Sequence, residues 1–203
     1  MAIDSYMAFQ LYSNSKYMVA PTANGQWLNA ESQVDFKSNV QDTLFLQPSK
    51  LAQGTVFEVE DYSFDIEQTL NIGSQSSGAG AGKVTFNPFS ITRKIDKASP
   101  IFFEMACSGV PFQSVVLALR KSSGTGSAGS FFLRFDFKLV AVKTISWAHD
   151  DESPKETVTF EYGGLQVRYC QQKVDGSLMS PVPGGWNRVR NMPDQSADAL
   201  ATS

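Results

Sequence analysis

The sequence predicts a mainly β domain with one helix, and three observations lead to this prediction. Apolar and polar residues alternate over several long stretches, as is typical of half-buried strands. Gly/Ser-rich segments separate these stretches. Residues 96–109 instead have helical spacing with start and stop signals. With 203 residues, 42% of them apolar, the chain is long enough for one domain with a sizeable core.

The N-terminal half contains two clear strand patterns. Residues 10–56 are ambiguous, although "GQWLNAESQVDF" alternates enough for a strand. Residues 57–72 are predicted as one strand. Residues 84–95 are predicted as another, with a change of phase at Pro88 that indicates a bend. Such bends favour a strongly coiled barrel or sandwich.

Residues 96–109 carry the one helix pattern. Asp96 is predicted as the N-cap, Pro100 lies in the first turn, and Gly109 is predicted to end the helix. Phe102, Met105 and Ala106 share one stripe, which we expect to pack on the strands.

The C-terminal half contains three longer strands. Residues 111–121 and 131–147 are joined by a Gly/Ser hairpin loop. In the second of these, alternate apolar residues share the buried face, and Arg134, Asp136 and Lys138 are predicted to lie on the solvated face. Residues 156–172 change phase at Gly163 and Gly164, which predicts a β-bulge or a bend there.

Bulk composition excludes several classes of partner. The net charge of −3 and the absence of Lys/Arg-rich runs argue against nucleic acid. No stretch of about 20 apolar residues is present, so we expect no membrane insertion. The N-terminus lacks the features of a secretory signal peptide. Cys107 and Cys170 lack metal-ligand spacing and are predicted to be free thiols packed inside.

The stretch "GSQSSGAGAGKVT", residues 73–85, resembles a phosphate-binding loop at first sight. That loop requires glycine at position 77 and a hydroxyl at position 84, whereas the sequence has Ser77 and Val84. An extended strand, rather than a helix, follows it. The glycines therefore predict a loop between two strands, and no nucleotide or other cofactor is expected.

Candidate catalytic groups are sparse. His149 is the only histidine and lies in an acidic turn, so a Cys–His or Ser–His–Asp set would have to use it. Carboxylates cluster at 58–61 and 150–152, without a spacing specific for glycoside chemistry or a hard cation, and no metal is expected. Trp27, Trp147 and Trp186 leave a carbohydrate-binding β-sandwich as an alternative.

Four short motifs occur together in this sequence. They are "GAGAGKV" at 78–84, "ACSG" at 106–109, which includes Cys107 and Gly109, "GGWN" at 184–187, and a block that consists of Ile95, Asp96, Lys97, Ala98, Ser99 and Pro100. Together they resemble motifs of the Hcp family, the tube-forming proteins of bacterial type VI secretion systems, and the block at 95–100 is the most specific of them. The resemblance covers about residues 57–190, and residues 10–56 are longer than is typical of the family.

The resemblance implies a β-barrel of two packed antiparallel sheets with one flanking α-helix at about residues 97–108. From length and composition we expect a single domain over residues 1–190, with 10–56 as an enlarged region relative to the family, and 191–203, which are polar and rich in small residues, as a flexible tail. Family members form six-membered rings that stack into a hollow tube, which works with sheath and spike proteins and holds effectors in its lumen. The implied function is structural, without catalysis. It also implies assembly in the cytoplasm and secretion without a signal peptide. A tube protein of a related contractile system remains an alternative.

The resemblance also gives the glycine loop a role, because stacking requires a feature that extends beyond the plane of the ring. Glycines allow close backbone approach, and ordering such a loop costs conformational entropy, so we expect stacking to be weak in isolated protein. The predicted ring-stacking residues are Gly73, Ser74, Gln75, Gly78, Gly80, Gly82 and Lys83.

Overall fold

A computed structural model describes residues 3–12, 27–32, 54–71, 80–121, 129–149, 153–175 and 177–194. In chain order these residues form β1 (Ile3–Gln10), β2 (Phe57–Val59), β3 (Asp61–Ser63), β4 (Ile66–Asn71), β5 (Gly80–Phe86), β6 (Phe89–Lys94), α1 (Ser99–Ser108), β7 (Phe112–Lys121), β8 (Phe131–His149), β9 (Pro154–Tyr169), β10 (Val182–Asn187) and β11 (Met192–Pro193).

The strands pair in antiparallel fashion, and their ladder closes into a barrel. The main sheet runs β11-β10-β9-β8-β7-β1-β2, and β6 joins β3 to the N-terminal half of β9. Only Glu60 separates β2 from β3, and its N–H donates to the carbonyl oxygen of Thr92 at 2.9 Å. The β2–β3 segment therefore connects the two ends of the ladder. The predicted mainly β barrel with one flanking helix is confirmed.

Phenylalanine side chains fill the barrel interior. Phe89 stacks between Phe137, at a centroid distance of 4.2 Å, and Phe160, at 4.8 Å. Phe9 makes an edge contact at 5.0 Å with Phe102, which α1 contributes to this core. All five rings are fully buried. Because aromatic pairs add to simple area burial, this cluster is a large part of what holds the helix on the barrel.

The outward face of the central strands is also buried, which corrects the predicted solvated face of β8. Arg134 and Asp136 are both 0% exposed and form an ion pair. Arg168 donates to Asp136 at 2.8 Å. We define the outer cluster as the apolar residues that pack on this face: Tyr6, Ala8, Trp27, Val56, Val116, Ala118, Phe131 and Cys170. Alternation alone could not reveal this second layer, because an outward residue can be covered by another part of the chain.

No register shift marks a β-bulge at Gly163 and Gly164, so this part of the prediction is wrong, and the irregularities lie on the neighbouring strand β8 instead. The β8–β9 register is the same on both sides of these glycines, but the opposing Leu139 has a positive φ of 50° and is exposed. A Cβ at Gly163 would lie 3.2 Å from the Leu139 side chain. The register shift of this pair lies at 142–144 on β8. The bend at Pro88 is confirmed by the break between β5 and β6, whereas residues 57–72 divide into three strands.

Helix α1 begins at Ser99, so Ala98 rather than Asp96 is its N-cap residue. The predicted end is confirmed, because Gly109 has a left-handed φ of 68°. Cys170 is buried as predicted, whereas Cys107 is exposed, which corrects the prediction for that thiol. The region predicted as a tail begins with β11, which pairs with β10; residues 195–203 lie outside the described residues.

Candidate functional site

The motif Ile95–Pro100 lies over a buried ionic network. Arg93 and Glu156 are 2% and 0% exposed, and the Arg93 Nε–H donates to the Glu156 carboxylate at 2.8 Å. The same carboxylate oxygen accepts from the Ser99 hydroxyl at 2.9 Å. Its second oxygen accepts from Trp147 Nε1–H at 3.2 Å. Every polar contact of Glu156 thus comes from a different element, namely β6, α1 and β8.

Asp96 connects this network to the start of the helix. Its carboxylate pairs with Arg93 and accepts from the Ala98 N–H at 2.8 Å, while its own N–H donates to Ser99 Oγ at 3.1 Å. A residue whose carboxylate accepts backbone N–H bonds just before a helix satisfies donors that the helix leaves open. Asp96 therefore orients the helix start, although it is not the N-cap residue.

The remaining motif residues complete the same turn. The Lys97 N–H donates to the Glu31 carboxylate at 3.1 Å, and Pro100 lies in the first turn of α1. Ala98 is fully buried, whereas Ile95 is exposed. The guanidinium of Arg93 also lies 4.8 Å from the centroid of the Phe57 ring. The motif residues hold α1 against β2, β6 and β9, so these residue types serve a structural role.

The predicted stacking loop belongs to a hairpin that is separate from the barrel sheet. Strands β4 and β5 form a two-stranded sheet, with a register shift between Gln68 and Leu70. Gly80, Gly82 and Lys83 lie in β5 rather than in the loop, which corrects part of the prediction. Gly73, Ser74, Gln75 and Gly78 lie outside the described residues.

Two grooves border the base of this hairpin. One, of about 390 Å³, is lined mostly by apolar side chains, among them Ile66, Leu165 and Trp186. The other, of about 820 Å³, includes Tyr162 and Arg188. Burial raises the pKa of Tyr162 to about 12, and nearby Arg188 opposes this shift.

An unpaired strand edge lies next to α1. The N-terminal half of β8 pairs with β7, but residues 141–149 pair only with β9 among the described strands. Trp147 on this edge is 51% exposed and contacts the ring of Phe103, which is 48% exposed on α1. An exposed aromatic pair beside backbone donors and acceptors that no second described strand pairs with is typical of a surface that binds another chain.

The catalytic candidates do not form a site among the described residues. His149 ends β8, where it is exposed, and Cys107 is exposed on α1. Within the described ranges, no group of three or more His, Cys, Asp or Glu side chains is arranged to hold a metal. Glu60 pairs with Lys155 at 3.1 Å, and Glu58 accepts from Ser32 at 2.9 Å. Residues 150–152 lie outside the described residues.

The three tryptophans lie in three separate environments rather than on a shared sugar-stacking surface. Trp27 is buried in the outer cluster, Trp186 lines the apolar groove beside the hairpin, and Trp147 lies on the edge of β8. In the described part of the structure, no helix is long and apolar enough to cross a membrane.

Sequence reasoning missed the two buried charge networks. For the Arg93–Glu156 network, the available signal was a charged residue in the inward phase of a strand. Arg93 follows Phe89 and Ile91 at alternate positions, and Glu156 precedes Val158 and Phe160 in the same way. Two such charges of opposite sign on different strands favour pairing, because a lone buried charge is very costly.

Comparison with known proteins agrees with the motif resemblance. The family model described as "Type VI secretion system effector, Hcp" matches residues 52–169, more than half of the chain. Protein hcp1 of Pseudomonas aeruginosa is 31% identical over 111 residues, which cover 54% of this chain and 68% of that protein.

Solved structures share the fold over nearly the whole length. A type six secretion system protein superimposes with a TM-score of 0.70 at 20% identity, covering 95% of this chain and all of that chain. Hcp1 from Salmonella typhimurium superimposes with a TM-score of 0.63 at 20% identity, covering 96% of this chain and all of that chain. At this identity the structures establish the fold alone, and the family model and the P. aeruginosa relative establish the family. The chain belongs to the Hcp family, the tube proteins of bacterial type VI secretion systems.

Proposed function

We propose that six copies of this chain close into a ring, that the rings stack into a hollow tube, and that the lumen carries and protects small effector proteins. Family membership supports this proposal. The function is structural and requires no reaction and no cofactor. Sheath and spike proteins of the apparatus are the other partners. The tube assembles in the cytoplasm and is expelled with the spike.

The unpaired edge of β8 is the observation that carries the ring proposal. Residues 141–149 leave one row of backbone N–H and C=O groups without a strand partner among the described residues. A closed ring is a heterologous assembly, in which one surface of each subunit meets a different surface of the next. The hairpin β4–β5 offers a second surface, since neither of its outer edges is paired in the described sheet. Pairing between copies would satisfy these groups, and the exposed Phe103 would add apolar burial.

The tip of the same hairpin extends the proposal to stacking. Strand β4 ends at Asn71 and strand β5 begins at Gly80, so residues 72–79 join the two strands. We assign the contact with the neighbouring ring to this segment, with Gly80, Gly82 and Lys83 in the adjoining strand.

The ring is tested by measuring the mass of the purified protein with light scattering after gel filtration. We expect a particle of about 133 kDa, six times the 22.2 kDa of the chain. Phe103→Asp should release subunits from the ring, because it places a charge in the aromatic patch. The control Val174→Asp adds the same charge at a fully exposed turn, so we expect its rings to stay intact. A wild-type protein that remains a monomer at high concentration refutes the ring. Rings that survive Phe103→Asp refute only the assigned surface.

Stacking is tested separately by replacing residues 72–79 with a two-residue Asn-Gly turn, which suits a hairpin. We expect intact rings and no tubes in electron micrographs of protein prepared under tube-forming conditions. Tubes that still form would contradict the assignment of the loop.

A further inference from the structure

A groove beside the base of the β4–β5 hairpin has one arginine on its wall. We call the groove of about 820 Å³ that contains Arg188 the Arg188 groove. A volume of this order accommodates a small molecule. The apolar part of its lining comes from β5, from β8 and from the residues after β10, and it includes Val84, Phe86, Leu139, Ala141 and Val189. The groove therefore offers an apolar surface with a cation beside it.

The guanidinium of Arg188 is held in place by hydrogen bonds and by stacking. Its Nη1–H donates to the Tyr162 carbonyl oxygen at 2.6 Å and to the Glu161 carboxylate at 3.3 Å. Its Cζ lies 5.0 Å from the centroid of the Tyr162 ring and 5.5 Å from that of the Phe86 ring. A guanidinium that is fixed in this way loses little further freedom when it binds a ligand. Arg188 is thus oriented before a ligand binds.

One edge of this guanidinium remains available. Nη1 makes both hydrogen bonds of the side chain, and neither Nε nor Nη2 has a partner among the described residues. Both atoms are accessible, since neither belongs to the buried polar atoms that lack a partner, and 27% of the side chain is exposed. The Nε–H and Nη2–H bonds run parallel and are spaced to meet the two oxygens of one carboxylate. This edge therefore fits a carboxylate better than a single acceptor.

The charges around the groove favour a ligand with a single negative charge. The charged groups that act on Glu161 and Tyr162 are Arg188, Lys143 and Asp65. Glu161 pairs with both Lys143, at 3.0 Å, and Arg188, while Asp65 is exposed. Two cations thus balance two carboxylates. A monocarboxylate gains both hydrogen bonds to Arg188, whereas a phosphate dianion would bring a second negative charge towards the two carboxylates.

The backbone around the groove has two unusual conformations. Among the described residues, the non-glycine residues with a left-handed φ are Leu139 and Asn191, both at 50°, and both line this groove. Such a φ is unfavourable for leucine and persists only where the surrounding structure enforces it. Gly163 on the opposing strand permits it, because a Cβ there would lie 3.2 Å from the Leu139 side chain. Since strained residues cluster at ligand-binding sites, the backbone supports a binding role for the groove.

We infer that the Arg188 groove binds a small monocarboxylic acid with an apolar body. The Nε–Nη2 edge of Arg188 donates to both carboxylate oxygens, and Phe86, Leu139 and Val189 contact the apolar body. The inference does not depend on the proposed ring, because every group in it belongs to one chain.

Isothermal titration calorimetry of the full-length protein with octanoate tests the inference. We expect one site per chain with a Kd of about 1 mM or tighter, as is usual for a ligand of this size in a fitting site. 1-Octanol has the same chain length but no charge, so it should bind at least about tenfold more weakly. Octyl phosphate should also bind more weakly than octanoate, because it carries a second negative charge.

Two substitutions of Arg188 separate its charge from its shape. Arg188→Leu should weaken octanoate binding at least about tenfold, and Arg188→Lys, which keeps the charge but loses the paired N–H groups, by about three- to tenfold. The matched control is Arg190→Leu, which removes the same charge from an exposed residue two positions along the chain and should leave the affinity unchanged. Circular dichroism checks the fold of each variant, and light scattering reports the assembly state separately.

Several results would overturn the inference. One is the absence of saturable octanoate binding to the wild type up to about 10 mM, tenfold above the expected Kd. Another is an equal affinity of Arg188→Leu and Arg190→Leu for octanoate, or of the wild type for octanoate and 1-octanol, because Arg188 would then not bind the carboxylate. The C-terminus of a protein is the other source of such a carboxylate. Tighter binding of acetyl-Ala-Leu than of octanoate would therefore overturn the assignment to a free acid.

Discussion

Replacing Glu156 by glutamine tests the buried network that holds α1 on the barrel. Glu156 is fully buried and accepts from Arg93, Ser99 and Trp147 through its two oxygens. Glutamine keeps the size of the side chain but removes the charge and one acceptor. The NH2 group of glutamine, itself a donor, must then face other donors. These are either the indole N–H of Trp147, or the guanidinium of Arg93 together with the hydroxyl of Ser99.

The expected loss of stability follows from the Arg93 charge that stays buried after its partner is removed. Removing one partner of a buried ion pair costs about 3–5 kcal/mol, mostly because the other charge loses its compensation. Arg93 retains Asp96, so we expect the lower end, about 3 kcal/mol. For a domain of this length, about 2–4 °C of melting temperature is lost per kcal/mol, so the expected decrease is about 6–12 °C.

The matched control is Glu161→Gln on the same strand. Glu161 pairs with Lys143 and Arg188 but is 40% exposed, so this change should cost about 1 kcal/mol or less. Melting is followed by circular dichroism at one fixed protomer concentration, because assembly makes the transition concentration-dependent. Equal shifts for the two variants would refute the reasoning, since buried and exposed carboxylates would then be equivalent.

Three further predictions concern the core, the closing strands and pH. Phe89→Ala should lower the free energy of unfolding by about 3–5 kcal/mol in urea titrations, because it empties the centre of the aromatic stack; a loss below about 1 kcal/mol would show that the stack is not the core. Gly185→Ala should lower the free energy of unfolding by about 1–3 kcal/mol, because the new Cβ would clash with the Asp194 carbonyl oxygen. Gly184→Ala should be nearly neutral, because no atom lies within 4 Å of the position of its Cβ. Similar losses for the two variants would contradict this. Burial alone would raise the pKa of Glu161, but hydrogen bonds from its cationic neighbours outweigh burial and lower the pKa below 4.5. A lowered folded-state pKa means that the stabilisation is complete above the unfolded pKa and is lost as pH falls through the folded-state pKa. The advantage of the wild type over Glu161→Gln should therefore persist at pH 7 and decrease as pH falls below the unfolded value of about 4.3.

The sequence predicted the elements whose signals are local. Alternation located the long strands β8 and β9, and the left-handed position of Gly109 followed from its place after an apolar helical stripe. Pro88 correctly marked the break between two strands. Motif similarity then identified the family, which no single periodicity could have done.

The errors arose where distant parts of the chain meet. The charges of Arg134 and Asp136 indicated solvent, but their face is covered, and only the fold brings Trp27 and Val56 onto it. Asp96 has the residue type of an N-cap, yet its carboxylate is shared between Arg93 and the backbone, so the helix begins three residues later. In both cases a tertiary contact changed the role that local chemistry would have given the residue.

A strand edge without a partner among the described strands, such as residues 141–149 of β8, is also a place where unwanted cross-β aggregates begin. The register shift at 142–144 on β8 lies within that edge, and the exposed Lys143 lies at the shift. A strand that is bent and charged there cannot template a flat stack of identical copies, because like charges and mismatched hydrogen-bond spacing oppose it. The irregularity thus disfavours edge-to-edge aggregation while leaving the edge available to a partner shaped to fit it.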